Sequence, residues 1–135
     1  MDDRPIVRFV AQREEHLGDC TIAAFAMCAG ITYSEALVTI AAIAPKVLTE
    51  GASWQQLKRA AATRRLRLVE KKTGFDSTTW SGGGILGVVF SDGVEHAVYF
   101  KGGLIFDGRS QSVWDADVYL RVNKVKVLTM LVRTS

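Results

Sequence analysis

The chain has 135 residues, 48% of them hydrophobic and 23% charged, with a formal net charge of +3. That is enough apolar material for the core of a single domain, 1–135. Two cysteines are too few for a disulfide framework, and the longest apolar run, 20–31, falls well short of the roughly 20 residues of a membrane span; a cytoplasmic protein without membrane contact is expected.

The charged start Met1-Asp2-Asp3-Arg4-Pro5 is followed by no apolar stretch of signal-peptide length. Residues 4–10 read as a short edge strand with Pro5 at its first positions, and the polar segment 11–19 follows. From Cys20 to Ala29 apolar residues surround every side of a 3.6-residue turn, the pattern of a helix buried in the core. Asp19 is a suitable N-cap, which places Cys20 in the first turn, where a helix N-terminus favours the reactive thiolate. Gly30 is placed to end this helix. Thr32 with Glu35, and Ser53 with Gln56, read as capping boxes. They open a second helix closed by Pro45 and a third running to about Arg65, whose apolar stripe is Trp54, Leu57, Ala60 and Ala61.

Beyond Leu66 the pattern turns to strands. Ile85 to Phe90 is an apolar β-rich run, and Asp92-Gly93 signals a hairpin into 96–100. Gly102-Gly103 signals another into 104–107. A helix capped by Ser112 is expected at 113–121, and a final strand at 125–132. Helices first and an antiparallel meander afterwards make an α+β protein.

The second hairpin bears on chemistry. With Gly102-Gly103 as its loop, Val98 faces Asp107, and alternation brings His96 onto the same face as Asp107 as a diagonal neighbour. Each residue has an ordinary alternative when taken alone: a structural histidine, a turn aspartate, a small buried cysteine. Together Cys20, His96 and Asp107 satisfy one geometry. Cys28, with nothing polar around it, is read as a buried hydrophobe; eight residues along one helix, about 12 Å, separate it from Cys20, too far for a disulfide.

Asp19-Cys20 opening an Ala-rich helix, a glycine ten residues later, Tyr33 to Leu37, Gly51 to Leu57 opening a helix, and His96-Ala97-Val98 followed by Gly-Gly and Asp107 form an ordered set. In these the chain resembles the papain-like bacteriocin-processing peptidases, which cut after double-glycine leaders and have small stand-alone bacterial and phage relatives. The resemblance implies a papain-like fold, with a central helix starting at the cysteine and packed on an antiparallel sheet. It implies a cysteine peptidase or amidase in which Cys20 is the nucleophile, His96 its base and Asp107 the group orienting His96. The oxyanion donor would be a glutamine six residues before the cysteine. That position holds Glu14, which cannot donate when ionised; Gln12, eight before, is the candidate, reached by a loop two residues longer. Thr21 replaces the usual Gly after the cysteine, and Gly108 the usual Pro after the aspartate.

The alternative function is an inactive papain-like binding module that recognises a peptide or other partner in the cleft. Either way the expected partner is a peptide or protein, and no cofactor or metal is implied; His16, four residues before Cys20, would be a loop residue near the cleft mouth. The basic residues Lys58, Arg59, Arg64, Arg65, Arg67, Lys71 and Lys72 are read as a solvated face. No aromatic residue is interleaved with them, so nucleic acid is not the expected partner.

Overall fold

The computed structural model describes residues 8–13, 18–75 and 82–134. Its elements are α1 (Cys20–Ala29), α2 (Tyr33–Ala41), α3 (Val47–Glu50), α4 (Trp54–Thr63), β1 (Leu68–Lys71), β2 (Gly84–Val89), β3 (Glu95–Lys101), β4 (Leu104–Asp107), β5 (Ser112–Asp115), α5 (Ala116–Val122) and β6 (Lys126–Arg133). The fold is α+β. Its six strands form one antiparallel sheet in the order β1-β6-β2-β3-β4-β5.

Alternation along the strands divides the core in two. Ile85, Ala97, Tyr99, Phe106 and Leu131 pack with α1, α2 and α4. Leu86, Val88, Val98, Phe100, Ile105 and Met130 pack with Ala116 and Tyr119 of α5. Because helices cover both faces, β2 and the 97–100 stretch of β3 read as apolar runs with no polar alternation. α1 lies against β3 and α2 and buries every residue from Thr21 to Cys28. Gly30 ends it in the left-handed region at φ 72°.

Both capping boxes form, with Thr32 and Ser53 accepting from the backbone N–H of Glu35 and Gln56 and receiving the reciprocal side-chain contact. Gly102 and Gly103 have φ of 61° and 78°, the primed turn that suits a two-residue hairpin, and Lys101 pairs with Leu104. The first hairpin turns through Gly93, with Phe90 and Val94 paired across it.

Several expectations are corrected. Residues 8–10 are not strand, so the described part of the 4–10 segment adds none to the sheet; residues 4–7 lie outside the described residues. α2 stops at Ala41, and the short α3 intervenes before α4. The segment 112–115 is strand β5, paired with β4, and its helix starts only at Ala116; Ser112 does not cap it. Alternating exposure along Ser112–Asp115 fits an edge strand over a half-buried surface. The meander holds for β2 to β5, whereas β6 returns to the far side of β2 and separates it from β1. No single helix among the described residues is long and apolar enough to cross a membrane.

Candidate active site

Cys20 begins α1, and the loop before it is clamped by backbone. Gly18 N–H donates to the Leu48 carbonyl at 2.8 Å. A Cβ on Gly18 would overlap the Gly51 backbone and the Val47 carbonyl, so only glycine permits this approach. Thr21 is buried and its hydroxyl donates to the Gly18 carbonyl at 2.9 Å. Its bulk is therefore spent tightening the turn into the helix.

Asp19 sits at the N-cap position without capping the helix by its side chain. Its carboxylate is fully buried and turned away from the helix. Oδ1 accepts from Gln12 Nε2 at 2.9 Å, and Oδ2 accepts from Arg13 N–H at 2.7 Å and the Tyr33 hydroxyl at 3.0 Å. The Arg13 guanidinium lies 4.3 Å from the Tyr33 ring centroid. The expected cap is thus replaced by a tie between the 12–13 segment, the start of α1 and α2.

The hairpin brings His96 and Asp107 together as the register requires. His96 Nε2 lies 2.9 Å from Asp107 Oδ1, both side chains being buried. A carboxylate only accepts, so Nε2 carries the proton and Nδ1 is the nitrogen left for Cys20. Burial opposes a charge on His96, but hydrogen bonds to Asp107 and to Cys20 outweigh it and hold the imidazole pKa up at about 9. Burial likewise opposes ionisation of Asp107, yet its bonds from His96, Tyr119 and the Arg109 N–H keep the carboxyl down at about 2.

Tyr119 is the partner that sequence reading missed. Its hydroxyl donates to Asp107 Oδ2 at 2.9 Å. Burial, reinforced by the Asp107 charge, pushes the phenol well above its ordinary range, so it remains a donor. The residue sits in α5, on the sheet face that also carries His96 and Asp107. The only signal for it in the sequence was a tyrosine among the apolar positions of the expected 113–121 helix, which does not tell which carboxylate it meets.

Cys20 and His96 line one cleft of about 470 Å³. Its walls come from the α3–α4 connection around Gly51, from Trp54, and from β2, β3 and β6 near Gly87, Ala97 and Leu128. The Trp54 ring lies where a Gly87 side chain would be. Pairing between β2 and β6 slips by one residue at Gly87 and Val88, leaving Leu128 as the extra residue. Such a bulge re-aims a side chain, and Leu128 is half exposed in the cleft wall. Trp54 is thus a cleft residue, Trp114 packs edge-on to Tyr119, and Trp80 lies outside the described residues.

Gln12 is placed by two bonds. Its N–H donates to the Gly108 carbonyl at 3.0 Å, and its side-chain amide donates to Asp19; the amide oxygen is buried without a partner. It is not one of the residues lining the cleft. Glu14 and His16 lie outside the described residues. Cys28 is buried, and desolvation raises its thiol to about 11 despite the nearby Arg133 and Lys101 charges. Among the described residues no group of three or more His, Cys, Asp or Glu side chains is placed to hold a metal ion. In the basic segment, Lys58 and Lys72 each lie 3.7 Å from Glu70, and Arg64 donates to the Thr39 hydroxyl. Compared with protein-family models and with curated protein sequences, the chain matches none, so the reading of this site rests on its own geometry.

Proposed function

We propose that this chain is a cysteine hydrolase, a peptidase or amidase on a papain-like scaffold similar to that of the bacteriocin-processing peptidases. It acts on a peptide or protein in the cytoplasm and uses no cofactor. The observation carrying this reading is His96, held by Asp107 at 2.9 Å on one side and lining the same cleft as Cys20.

The proton of Cys20 passes to His96 Nδ1, giving a thiolate and an imidazolium whose charge Asp107 stabilises. The thiolate attacks the carbonyl carbon, and the carbonyl electron pair moves to oxygen. When that pair returns, the C–N bond breaks and the leaving amine takes the proton from His96. Water then attacks the thioester with His96 as base, and collapse of the second tetrahedral intermediate releases the acid and the Cys20 thiolate. N–H groups of the first turn of a helix have no partner within it, which makes the Cys20 N–H one oxyanion donor; the Gln12 amide is the second.

Alkylation of Cys20 by iodoacetamide at pH 6, in a Cys28→Ala background, tests the pair. An ordinary thiol titrates near 8.5 and is mostly protonated there. The expected result is a rate about tenfold or more above that of the same protein carrying His96→Ala. Equal rates would sink the assignment of His96 as base. Cys20→Ala is expected to abolish turnover of any peptide amide the native chain cleaves while leaving the fold intact, since alanine suits this helix start.

One observation favours a second reading, a binding module that holds a peptide in the cleft without cleaving it. The Gln12 amide gives one N–H to Asp19 and is not among the residues lining the cleft. Peptide binding that survives Cys20→Ala, from a native chain that cleaves none of the peptides it binds, would select this reading.

A further inference from the structure

Two buried carboxylates serve the site, Asp19 next to Cys20 in the chain and Asp107 on His96, and they are built alike. Asp107 takes a tyrosine hydroxyl at 2.9 Å on Oδ2 and presents Oδ1 to His96. Asp19 takes a tyrosine hydroxyl at 3.0 Å on Oδ2 and presents Oδ1 to Gln12. Each aspartate also accepts from backbone, Arg109 N–H in one case and Arg13 N–H in the other. The two systems join where Gln12 N–H meets the Gly108 carbonyl, next to Asp107. Gly108 itself sits against Ala23 of α1, where a side chain would press on Ala23 and on the Val10 carbonyl.

The first aspartate orients the base. We infer that Asp19, braced by Tyr33, is a positioning residue that orients the Gln12 amide as oxyanion donor. The inference rests on the hydrolase reading above.

An amide rotates through half a turn to exchange its oxygen and nitrogen, and the bonds it makes decide which is where. Gln12 Oε1 is buried and makes no hydrogen bond, so it does nothing to set the orientation. The bond to Asp19 Oδ1 does. A carboxylate can only accept, and it therefore requires the NH2 end of Gln12 to face it. Nε2 carries two hydrogens; Asp19 binds one and the other is left to donate. Asp19 immediately precedes the nucleophile, so the Gln12 amide is bonded to the residue next to Cys20 in the chain. Tyr33 and Arg13 N–H hold the carboxylate from α2 and from the 12–13 segment, so it cannot swing with the loop. An asparagine at position 19 offers one acceptor where two carboxylate oxygens serve Gln12, Arg13 and Tyr33, and its own NH2 accommodates a reversed Gln12.

Two reactions of Cys20 separate this role from general support of the helix start. Acylation by phenyl acetate, followed by phenol release, passes through a tetrahedral oxyanion. Alkylation by iodoacetamide does not, although both use the same thiolate. Both rates are measured at pH 6 in the Cys28→Ala background. Gln12→Ala is expected to slow acylation about 100-fold, Asp19→Asn about tenfold or more, and Tyr33→Phe by a smaller factor. Alkylation should stay within about twofold of the parent in all three. Tyr33→Phe preserves shape and keeps the test open if Asp19→Asn loosens the fold.

Acylation and alkylation falling together in Asp19→Asn and Tyr33→Phe would overturn the positioning role, as would acylation unchanged in Gln12→Ala. In both of those cases a reactive parent protein leaves the hydrolase reading standing. A parent whose Cys20 reacts with neither reagent above the His96→Ala rate would remove the hydrolase reading, and this inference with it.

Discussion

Cys20 and Cys28 lie on one helix and differ in everything that decides reactivity. Cys28 is enclosed by apolar side chains, and desolvation raises its thiol to about 11. Cys20 is half-buried and borders the cleft that the His96 imidazole also lines. A thiol is reactive where a partner stabilises its anion and a reagent can reach it. The partner's own support lies one residue further out, at Tyr119. Tyr119→Phe removes one donor from a buried carboxylate and leaves the Asp107 oxygen short of a partner. The expected cost is about 1–3 kcal/mol of stability, read as a lower urea midpoint at unchanged m-value. A midpoint equal to that of the parent would mean that the hydroxyl contributes nothing to holding Asp107.

At the scale of elements, α2 and α4 owe their starts to local chemistry. Each has a hydroxyl at the N-cap and an acid or amide three residues on, and each satisfies two N–H groups that the helix itself leaves open. Thr32→Ala and Ser53→Ala should each destabilise the protein by about 1 kcal/mol. These sites are in separate helices, so thermal denaturation of the double variant should show nearly the sum. A double variant no less stable than either single one would show that tertiary packing alone sets these starts. α1 is different, because its cap position is occupied by a side chain engaged elsewhere. Its start is defined instead by Gly18 against Gly51, the Thr21 hydroxyl on the Gly18 carbonyl, and burial of every residue to Cys28.

For the whole molecule, the His96–Asp107 pair links stability to pH at both ends. His96 is raised from 6.5 to about 9. Its contribution is complete below 6.5 and is lost as pH rises through about 9. Asp107 is lowered from 3.8 to about 2. Its contribution is complete above 3.8 and is lost as pH falls through about 2. The pair therefore stabilises fully between 3.8 and 6.5, where the melting temperature should be flat as far as this pair governs it, and it should decline from 6.5 to 9. In His96→Ala the decline over 6.5 to 9 should shrink. An identical alkaline decline in that variant would exclude the pair as its origin.

Much of this protein is legible in the residues themselves, wherever the cause is local. Gly30 ends α1 because glycine adopts a positive φ freely, and the two capping boxes form within four residues of chain. Gly102-Gly103 sets a two-residue turn, and the period of two then carries His96 and Asp107 to one face, so half of the site follows from counting. The errors arise where distant contacts override a local preference. Asp19 has the residue type of a cap, but Gln12, Arg13 and Tyr33 offer its carboxylate better partners, and they meet it only once α1, α2 and the 12–13 segment are packed. Residues 112–115 could extend a helix, yet the open edge of β4 needs hydrogen bonds and takes them as a strand. Tyr119 and Asp107 lie on different elements, and no pattern in either announces the other. Turns, caps and alternation depend on bonds between near neighbours, which residue types decide; the partners of buried polar groups depend on which elements come to share a face, and that is decided by packing.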